Sequence, residues 1–457
     1  MNFLRKKNIK MIAEQSTGLL RCLSAFDLVF LGVGAIIGAG IFVITGVVAA
    51  TQTGPAIILS YVLAGFACLF SALSYAELAS SIGGCGSSYG YAYVGFGELI
   101  AWIIGWDLLL EYAVSVAAVA VGWSSYFNDL LLACDIHLPV ILHQPPAAGG
   151  LINLFAVVIL IVLSLLLMRG VKTSSRFNTL IVSIKLAVIL LFIAIASMHV
   201  NPANWVPFMP FGWHGVASGA SLIFFAYIGF DALSTTAEEV VNPQRDLPIG
   251  IIGSLLIATI LYMAVSGLLT SIVPYTTLNV ASPISHALIM IGYHAAAGLV
   301  GVGAIAGLTT VMLVLLYGLS RVFFAMARDG LLPTYFSRLN QKTQTPVRII
   351  VFCAIFIGLA AGFMQIDTLV ELVNIGTLFA FMMACSGVMM LRYRKPNLPR
   401  PFKTPFMPFV PILGILSCLY LIINLHGFTI VRFIIWFSLG MIFYFVYSRR
   451  HSVLNQM

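Results

Sequence analysis

A glycine-rich interruption in an apolar stretch near the amino terminus is the feature that most constrains this chain. Residues 32–42 read GVGAIIGAGIF and lie inside an apolar run from Ala25 to Ala50, which is long enough to cross a bilayer as a helix. Each glycine in a helix interior costs about 1 kcal/mol relative to alanine, and unwound backbone at membrane depth is tolerated where it lines a cavity or is buried in protein. The segment predicts a broken helix at a binding site or, alternatively, a surface where helices pack closely.

Composition places the chain in a membrane. It is 61% hydrophobic and 8% charged, a balance that soluble globular proteins do not have. Apolar runs of sufficient length predict twelve spans, numbered in chain order: 25–51, 55–80, 97–127, 151–168, 178–199, 216–237, 249–273, 295–327, 347–364, 368–391, 408–426 and 429–448. The predicted fold class is therefore an all-α membrane protein with no separate soluble domain.

The distribution of basic residues predicts how the spans are oriented. The chain carries 23 Lys and Arg and a net charge of +8, which by itself would suggest a nucleic-acid partner. Loops on one side of the twelve spans hold 21 of those 23 residues, whereas the opposite loops hold only Arg432. Because cytoplasmic loops are the ones enriched in Lys and Arg, both termini are predicted in the cytoplasm, and nucleic-acid binding is excluded.

One basic residue lies outside this pattern. Lys185 is near the middle of span 5, too deep for its ammonium to reach the interface. An ammonium at that depth must find carbonyl or carboxylate partners in the protein interior, or lose its proton. Carboxylates at comparable depth are Asp107 and Glu111, four residues apart on one face of span 3, and Asp231 in span 6. Lys185 indicates a functional site or, on the simpler interpretation, an ion pair that locks helices together.

Span 6 carries a second interruption. In LIFFAYIGFDALSTTAEEV, Gly229 and Asp231 break an aromatic run. Interrupted segments at corresponding positions of two halves point to a transporter built from inverted repeats, with its site at the bilayer midplane. Free amides at the start of a half-helix attract a carboxylate, and freed carbonyls suit an ammonium. Two such breaks, walled by apolar side chains, predict a site for a zwitterionic amino acid.

Three segments carry a family resemblance: GAIIGAGIF in span 1, FFAYIGFDALSTTAEEVVNPQRDLPIGI from span 6 into span 7, and SRVFFAMARDGLLP after span 8. With them the chain resembles the amino acid–polyamine–organocation superfamily and, within it, bacterial members of the cationic amino acid transporter family. The resemblance implies a leucine-transporter-type fold, in which five spans are followed by an inverted repeat of five. Spans 1 and 6 are broken in that fold, and two further helices follow at the end.

The resemblance also implies boundaries and a function. These are a cytoplasmic segment at 1–24, a transport core at 25–391 with repeats at 25–199 and 216–391, two added helices at 408–448 and a cytoplasmic tail at 449–457. The implied function is a secondary active permease for L-amino acids in the cytoplasmic (inner) membrane, working by alternating access.

The site residues follow from the same resemblance. Main-chain amides of the first break would hold the substrate carboxylate, in the segment Ile36, Ile37, Gly38, Ala39 and Gly40. The α-ammonium would be held by the carbonyls of Phe225, Ala226 and Ile228, with that of Ile36. Many family members have Ser or Thr where this chain has Ala39, so a hydroxyl is missing here while the amides remain.

Lys185 matches the family's lysine in span 5, which in sodium-independent members stands where sodium-coupled relatives bind the ion. Its ammonium would donate to carbonyls freed near residues 34–37, and it would release a proton in one state and regain it in another. Glu111 resembles the acidic partner in span 3 and would relay protons. The resemblance therefore implies proton-coupled, sodium-independent transport, with uncoupled exchange as the alternative.

Other functions fit the sequence less well. A cationic amino acid exchanger would need acidic or carbonyl partners for the substrate side chain, whereas span 8 offers apolar Met312, Leu315 and Leu316 toward its centre. We therefore predict Leu315 in the substrate site and neutral substrates.

An enzyme would need a nucleophile–base pair or paired metal ligands, and a channel would need a ring of selectivity groups. We expect no cofactor and no metal. The expected partners are an L-amino acid, protons and the bilayer, with a small membrane subunit left open.

Overall fold

The structure, a computed structural model, describes residues 23–82, 88–169, 175–236, 240–341, 343 and 345–456. The predicted cytoplasmic segment at 1–24 therefore lies almost wholly outside the described residues. Within them the regular elements are all helical, apart from a single parallel bridge that pairs Leu23 with Val240. The prediction of an all-α protein is confirmed for this part of the chain.

Twelve described helices have at least twelve residues, and they follow the predicted spans. We number them α1 (Ala25–Ile36), α2 (Ile57–Ile82), α3 (Glu98–Ala133), α4 (Leu154–Met168), α5 (Ser175–Ser197), α6 (Gly212–Ile223), α7 (Pro243–Ile272), α8 (His294–Arg328), α9 (Val347–Phe363), α10 (Ile366–Arg394), α11 (Phe409–Ile423) and α12 (Gly427–Phe443). Among the described residues, eight helical segments are long and apolar enough to cross a membrane, and α1, α4, α9 and α11 are shorter apolar helices. That the chain crosses the bilayer twelve times stays a prediction.

The helices differ in how much apolar surface they leave uncovered. α3 packs against α8 and α10, α7 packs against α1 and α2, and α5 packs against α1 and α8. By contrast, α4, α9, α11 and α12 carry rows of exposed Leu, Ile, Val and Phe. Continuous apolar surface of this extent is expected where helices face lipid. The inner helices are the ones that hold the two interruptions.

The first interruption begins where α1 ends. Ser24 and Asp27 cap the start of this helix reciprocally, with the Asp27 amide donating to the Ser24 hydroxyl at 3.3 Å and the Ser24 amide to the Asp27 carboxylate at 2.9 Å. After Ile36 the backbone becomes extended at Ile37, and a helix resumes with wide π-type turns at Gly40–Ile44. The break therefore falls in the glycine-rich segment, as predicted.

The second interruption follows α6. A short 3₁₀ turn, Phe224–Tyr227, leads to Ile228 in an extended conformation, and another 3₁₀ segment begins at Asp231. Gly229 between them has φ +121°, a conformation that favours glycine. A Cβ at Gly229 would lie 2.9 Å from the carbonyl oxygen of Ala35. The predicted break in span 6 is present, and it contacts the end of α1.

A buried carboxylate ties α2 to the segment after α10. Glu77 is 1% exposed and accepts hydrogen bonds from the guanidinium of Arg392 at 2.6 and 2.8 Å and from the amide of Thr404 at 2.7 Å. The Arg400 guanidinium lies 3.4 Å from the same carboxylate. Bidentate pairing fixes orientation as well as charge, so these contacts hold α2 against the end of α10 and against the linker that follows it.

Arg392→Ala is expected to destabilise the protein, because it removes the bidentate partner of buried Glu77. Hydrogen bonds to charged groups contribute about 1.5–3 kcal/mol each, and Arg400 still lies beside the carboxylate in this variant, so the melting temperature should fall by a few degrees. Arg394→Ala is the matched control, since Arg394 is exposed on the same helix end, and it should melt like wild type. Equal melting temperatures for the two variants would contradict a stabilising role for the Glu77 pair.

Candidate functional site

The two interrupted segments touch each other. A Cβ built on Gly40 would lie 2.3 Å from both Cα and Cβ of Ala226, closer than side chains approach in proteins. The segment from Ile36 to Gly40 is buried, and so are Phe225 and Ile228 beside Ala226. The structure therefore brings together the two sets of main-chain groups that the sequence singled out.

The first break offers main-chain amides. The amides in the first turn of a helix have no acceptor within that helix, and the helix dipole places partial positive charge there. Ala39, Gly40 and Ile41 begin the helical run that resumes after the break and continues to Thr53. The amide of Phe42, one residue further on, donates to the carbonyl of Gly38 at 3.3 Å. A turn of this kind can hold a carboxylate.

A tyrosine lies between the two breaks. The hydroxyl of Tyr262, on α7, is 2.9 Å from the carbonyl oxygen of Ile36 and 2.8 Å from that of Ala226. Both carbonyls belong to the set predicted for an ammonium. In the sequence Tyr262 is one aromatic residue in the apolar run ATILYMAVSG, and no pattern there distinguishes it from a core side chain.

Lys185 reaches the first break from α5. Its ammonium donates to the carbonyl of Gly34 at 2.9 Å and to that of Ile37 at 3.1 Å, where α1 stops and carbonyls lose their helical donors. The side chain is 1% exposed and passes Gly307 of α8, where an added Cβ would lie 2.6 Å from the Lys185 Cε. The contact implied between this lysine and the freed carbonyls is present.

Glu111 is buried apart from Lys185. Neither of its carboxylate oxygens has a hydrogen-bond partner among the described residues, so no such bond joins it to the lysine. Asp231 differs, because it accepts from the Tyr112 hydroxyl at 3.2 Å and from the Gly229 amide at 3.3 Å. Asp231 thus shapes the second break, whereas the relay role of Glu111 stays a prediction without a direct contact to Lys185.

The α8 side of the first break is apolar. Val311 is 3.4 Å from the position that a Cβ on Gly38 would take, and Met312, Leu315 and Leu316 on the same helix are buried. None of these side chains carries a charge, and none has a hydrogen-bonding group that could pair with a charge on a ligand. This wall suits an apolar group and offers no partner for a second charge.

Further hydroxyl groups bind carbonyls of the resumed helix. Thr45 donates to the carbonyl of Gly40 at 3.0 Å and lies 2.6 Å from the hydroxyl of Tyr61, and Tyr126 donates to the carbonyl of Phe42 at 2.7 Å. These side chains supply donors where π-type turns replace regular helix. Their role depends on helices far apart in the chain, so no local sequence pattern indicates it.

Comparison with known proteins supports the resemblance. A family model described as amino acid permease matches residues 23–447. The methylthioribose transporter of Bacillus subtilis (strain 168) is 50% identical over 459 residues, which cover 100% of both chains. The branched-chain amino acid permease BcaP of the same organism is 50% identical over 460 residues and 99% of each chain. The vacuolar cationic amino acid transporter 4 of Arabidopsis thaliana is 33% identical over 96% of this chain and 93% of its own.

The match to the family model includes both helix breaks, α5 with Lys185, and α8. The relatives are named as transporters and permeases rather than enzymes. Several described helices are long and apolar enough to cross a membrane. The chain therefore belongs to the amino acid permease family of the amino acid–polyamine–organocation superfamily, and it is a multi-pass membrane protein.

Proposed function

We propose that this chain is a secondary active permease that carries neutral L-amino acids by alternating access, coupled to protons and independent of sodium. The observation that carries the proposal is the meeting of the two breaks, because first-turn amides on one and carbonyls on both lie close together. Amides at a helix start suit the carboxylate of an amino acid, and carbonyls suit its α-ammonium.

In this proposal the main chain from Ile36 to Gly40 holds the substrate carboxylate. The carbonyls of Phe225, Ala226 and Ile228, with that of Ile36, hold the α-ammonium. These groups recognise the backbone that all L-amino acids share. The choice among substrates is then left to the side chains around the site, Leu315 among them.

The apolar wall of α8 favours a neutral, apolar substrate side chain. A guanidinium or a second ammonium would lose hydration without gaining a partner from Met312, Leu315 or Leu316. The two relatives at 50% identity are named for branched-chain amino acids and for methylthioribose, and both kinds of solute carry a small apolar group. The alternative is a cationic amino acid exchanger. One relative of this chain is named for cationic amino acids, but the apolar side chains of α8 offer no partner for a cationic substrate side chain.

The proton coupling rests on Lys185. Its ammonium already occupies the carbonyls of Gly34 and Ile37, which would otherwise suit a small cation. If the lysine gave up its proton, those carbonyls would lose a charged donor and α1 would be free to shift. Proton release and uptake at Lys185 would thus alternate between two arrangements of the first break, with Glu111 as a further proton site.

The layout in the membrane is part of the proposal. We propose twelve spans, with α1–α5 and α6–α10 as inverted repeats and α11 and α12 added. This layout agrees with the positions of the two breaks, because each break follows the first helix of a repeat. Domain boundaries follow at 25–199 and 216–391 for the repeats and 408–448 for the added helices. The excess of Lys and Arg on one side supports a cytoplasmic location for the 1–24 segment and the 449–457 tail, in a chain that we propose lies in the cytoplasmic membrane.

Binding of amino acids to the purified protein tests the substrate class. A ligand that binds only the native state stabilises it by about 2.7 kcal/mol at a hundredfold excess over its Kd. L-leucine, L-isoleucine and L-valine should therefore raise the melting temperature, whereas L-arginine and L-lysine should not. Stabilisation by arginine or lysine above leucine would establish the cationic alternative. Stabilisation by methylthioribose, with no response to any of the twenty amino acids, would overturn an amino acid substrate.

Uptake into proteoliposomes tests the coupling. Because Lys185 holds carbonyls that would otherwise suit a cation, leucine uptake should proceed without Na⁺. It should rise when the outside is made acidic relative to the inside, and it should lose this increase when a protonophore dissipates the gradient. Strict dependence on Na⁺, with no response to a pH gradient, would contradict proton coupling.

A further inference from the structure

Tyr262 binds two carbonyls that the proposed substrate would also use. Its hydroxyl lies 2.9 Å from the Ile36 carbonyl oxygen and 2.8 Å from that of Ala226, and the residue is fully buried. One carbonyl ends α1 and the other belongs to the 3₁₀ turn after α6. A single side chain on α7 therefore joins the two breaks through the atoms assigned to the α-ammonium.

A hydroxyl is an incomplete donor for two carbonyls. It has one proton and donates to only one of them at a time. An α-ammonium has three protons and a positive charge, so it can donate to both carbonyls at once, through charge-assisted bonds about twice as strong as neutral ones. The substrate ammonium therefore displaces the Tyr262 hydroxyl from these carbonyls when it binds. When no substrate is bound, the hydroxyl is their hydrogen-bond donor.

We propose that Tyr262 is a positioning residue that stands in for the substrate's α-ammonium and so allows the carrier to return empty. The inference rests on the proposed function. In net uptake, every cycle includes a return step without amino acid, during which the carbonyls of Ile36 and Ala226 need another donor. In exchange, every step carries a substrate, and its ammonium supplies the donors. Loss of the hydroxyl should slow net uptake and spare exchange.

The surrounding rings provide a matched control. The Tyr262 ring packs against Tyr61 and Tyr227, with ring centroids 5.2 and 5.5 Å away. The Tyr227 hydroxyl donates to the Tyr61 carbonyl, within α2, at 2.9 Å. Tyr227 is thus a second fully buried tyrosine of the same cluster, and its hydroxyl donates to a carbonyl of α2, which lies outside both breaks.

The test compares two transport modes in Tyr262→Phe, which keeps the ring and removes the hydroxyl. Net leucine uptake into empty proteoliposomes should fall about tenfold, the factor that one lost buried hydrogen bond typically costs. Exchange of external labelled leucine for internal leucine should stay near the wild-type rate, and leucine should bind at least as tightly. Tyr227→Phe should leave the ratio of net uptake to exchange unchanged.

Three outcomes would overturn the inference: an equal loss of both modes in Tyr262→Phe, unchanged net uptake, or the same change of ratio in Tyr227→Phe. A second measurement does not depend on how the variant folds. With 3-fluorotyrosine at position 262, leucine should shift the fluorine NMR signal, and an unchanged signal would also overturn the inference. Failure of the proposed function is distinguishable, because wild type itself would then neither bind nor exchange leucine.

Discussion

Replacing Lys185 with alanine is expected to abolish accumulation of amino acid driven by a pH gradient, in a protein that still inserts and purifies. The substitution leaves the carbonyls of Gly34 and Ile37 without their donor, and an unsatisfied buried group costs about 1–3 kcal/mol, which a protein of this size can survive. Coupling should not survive, because Lys185 is the only lysine that is buried among the described residues. Lys403→Ala, at an exposed position, should accumulate leucine like wild type.

Lys185→Arg distinguishes a proton-coupling role of Lys185 from a purely structural role, since either could explain lost accumulation in Lys185→Ala. A guanidinium stays protonated in a protein, so proton coupling through this residue predicts that the arginine variant also fails to respond to a pH gradient. A lysine that only locks helices through its charge predicts the opposite, since arginine supplies the same charge. Uptake by Lys185→Arg that is still driven by a pH gradient would assign Lys185 a structural role.

Gly40→Val is expected to abolish uptake. A Cβ at this position would lie 2.3 Å from Ala226, so the valine side chain must push the two breaks apart and crowd the main chain that the carboxylate would approach. Overpacking of this kind typically costs about 1–3 kcal/mol. The melting temperature should therefore fall while the protein remains folded, and leucine uptake in proteoliposomes should drop below detection.

The control for Gly40→Val is a glycine with free space around it. A Cβ on Gly298, in α8, would meet nothing within 4 Å, so Gly298→Ala should fold and transport like wild type. If Gly40→Val takes up leucine at the wild-type rate, the substrate site lies elsewhere in the molecule.

Both helix breaks could be predicted from the sequence, because their cause is local. Glycines in an apolar run weaken a helix wherever the segment lies in the fold, and Gly229 adds a backbone conformation that other residues rarely adopt. The contact of Lys185 with the freed carbonyls could also be anticipated, since a lysine at that depth has few other partners available.

Some helix ends could not be placed from apolar runs. Span 7 was predicted to begin at residue 249, whereas α7 begins at Pro243 and contains Asp246 in its first turn. A proline at the start and an acidic residue in the first turn are helix-start signals. Neither residue is apolar, however, so a criterion based on apolar runs does not include them in the span. Likewise α3 continues to Ala133, past the predicted end at residue 127.

Contacts between distant helices account for what the sequence could not indicate. Tyr262 bridges Ile36 and Ala226 only because α7 packs beside both breaks, and no spacing in the chain encodes that arrangement. The placement of Glu111 depends on tertiary packing in the same way. The resemblance implies that Glu111 relays protons, and in the structure no hydrogen bond joins its side chain to Lys185.

We propose that the two breaks bind both charged ends of one amino acid, and analogues of leucine that lack one end test this claim. 4-Methylpentanoate lacks the ammonium and 3-methylbutylamine lacks the carboxylate. The measurement is the concentration of each compound that displaces labelled L-leucine from the purified protein. Hydrogen bonds to charged groups contribute about 1.5–3 kcal/mol each, so each analogue should require at least about tenfold more than unlabelled leucine. Displacement by either analogue as effectively as by leucine would contradict the claim, because one of the two sets of main-chain groups would then not bind the substrate.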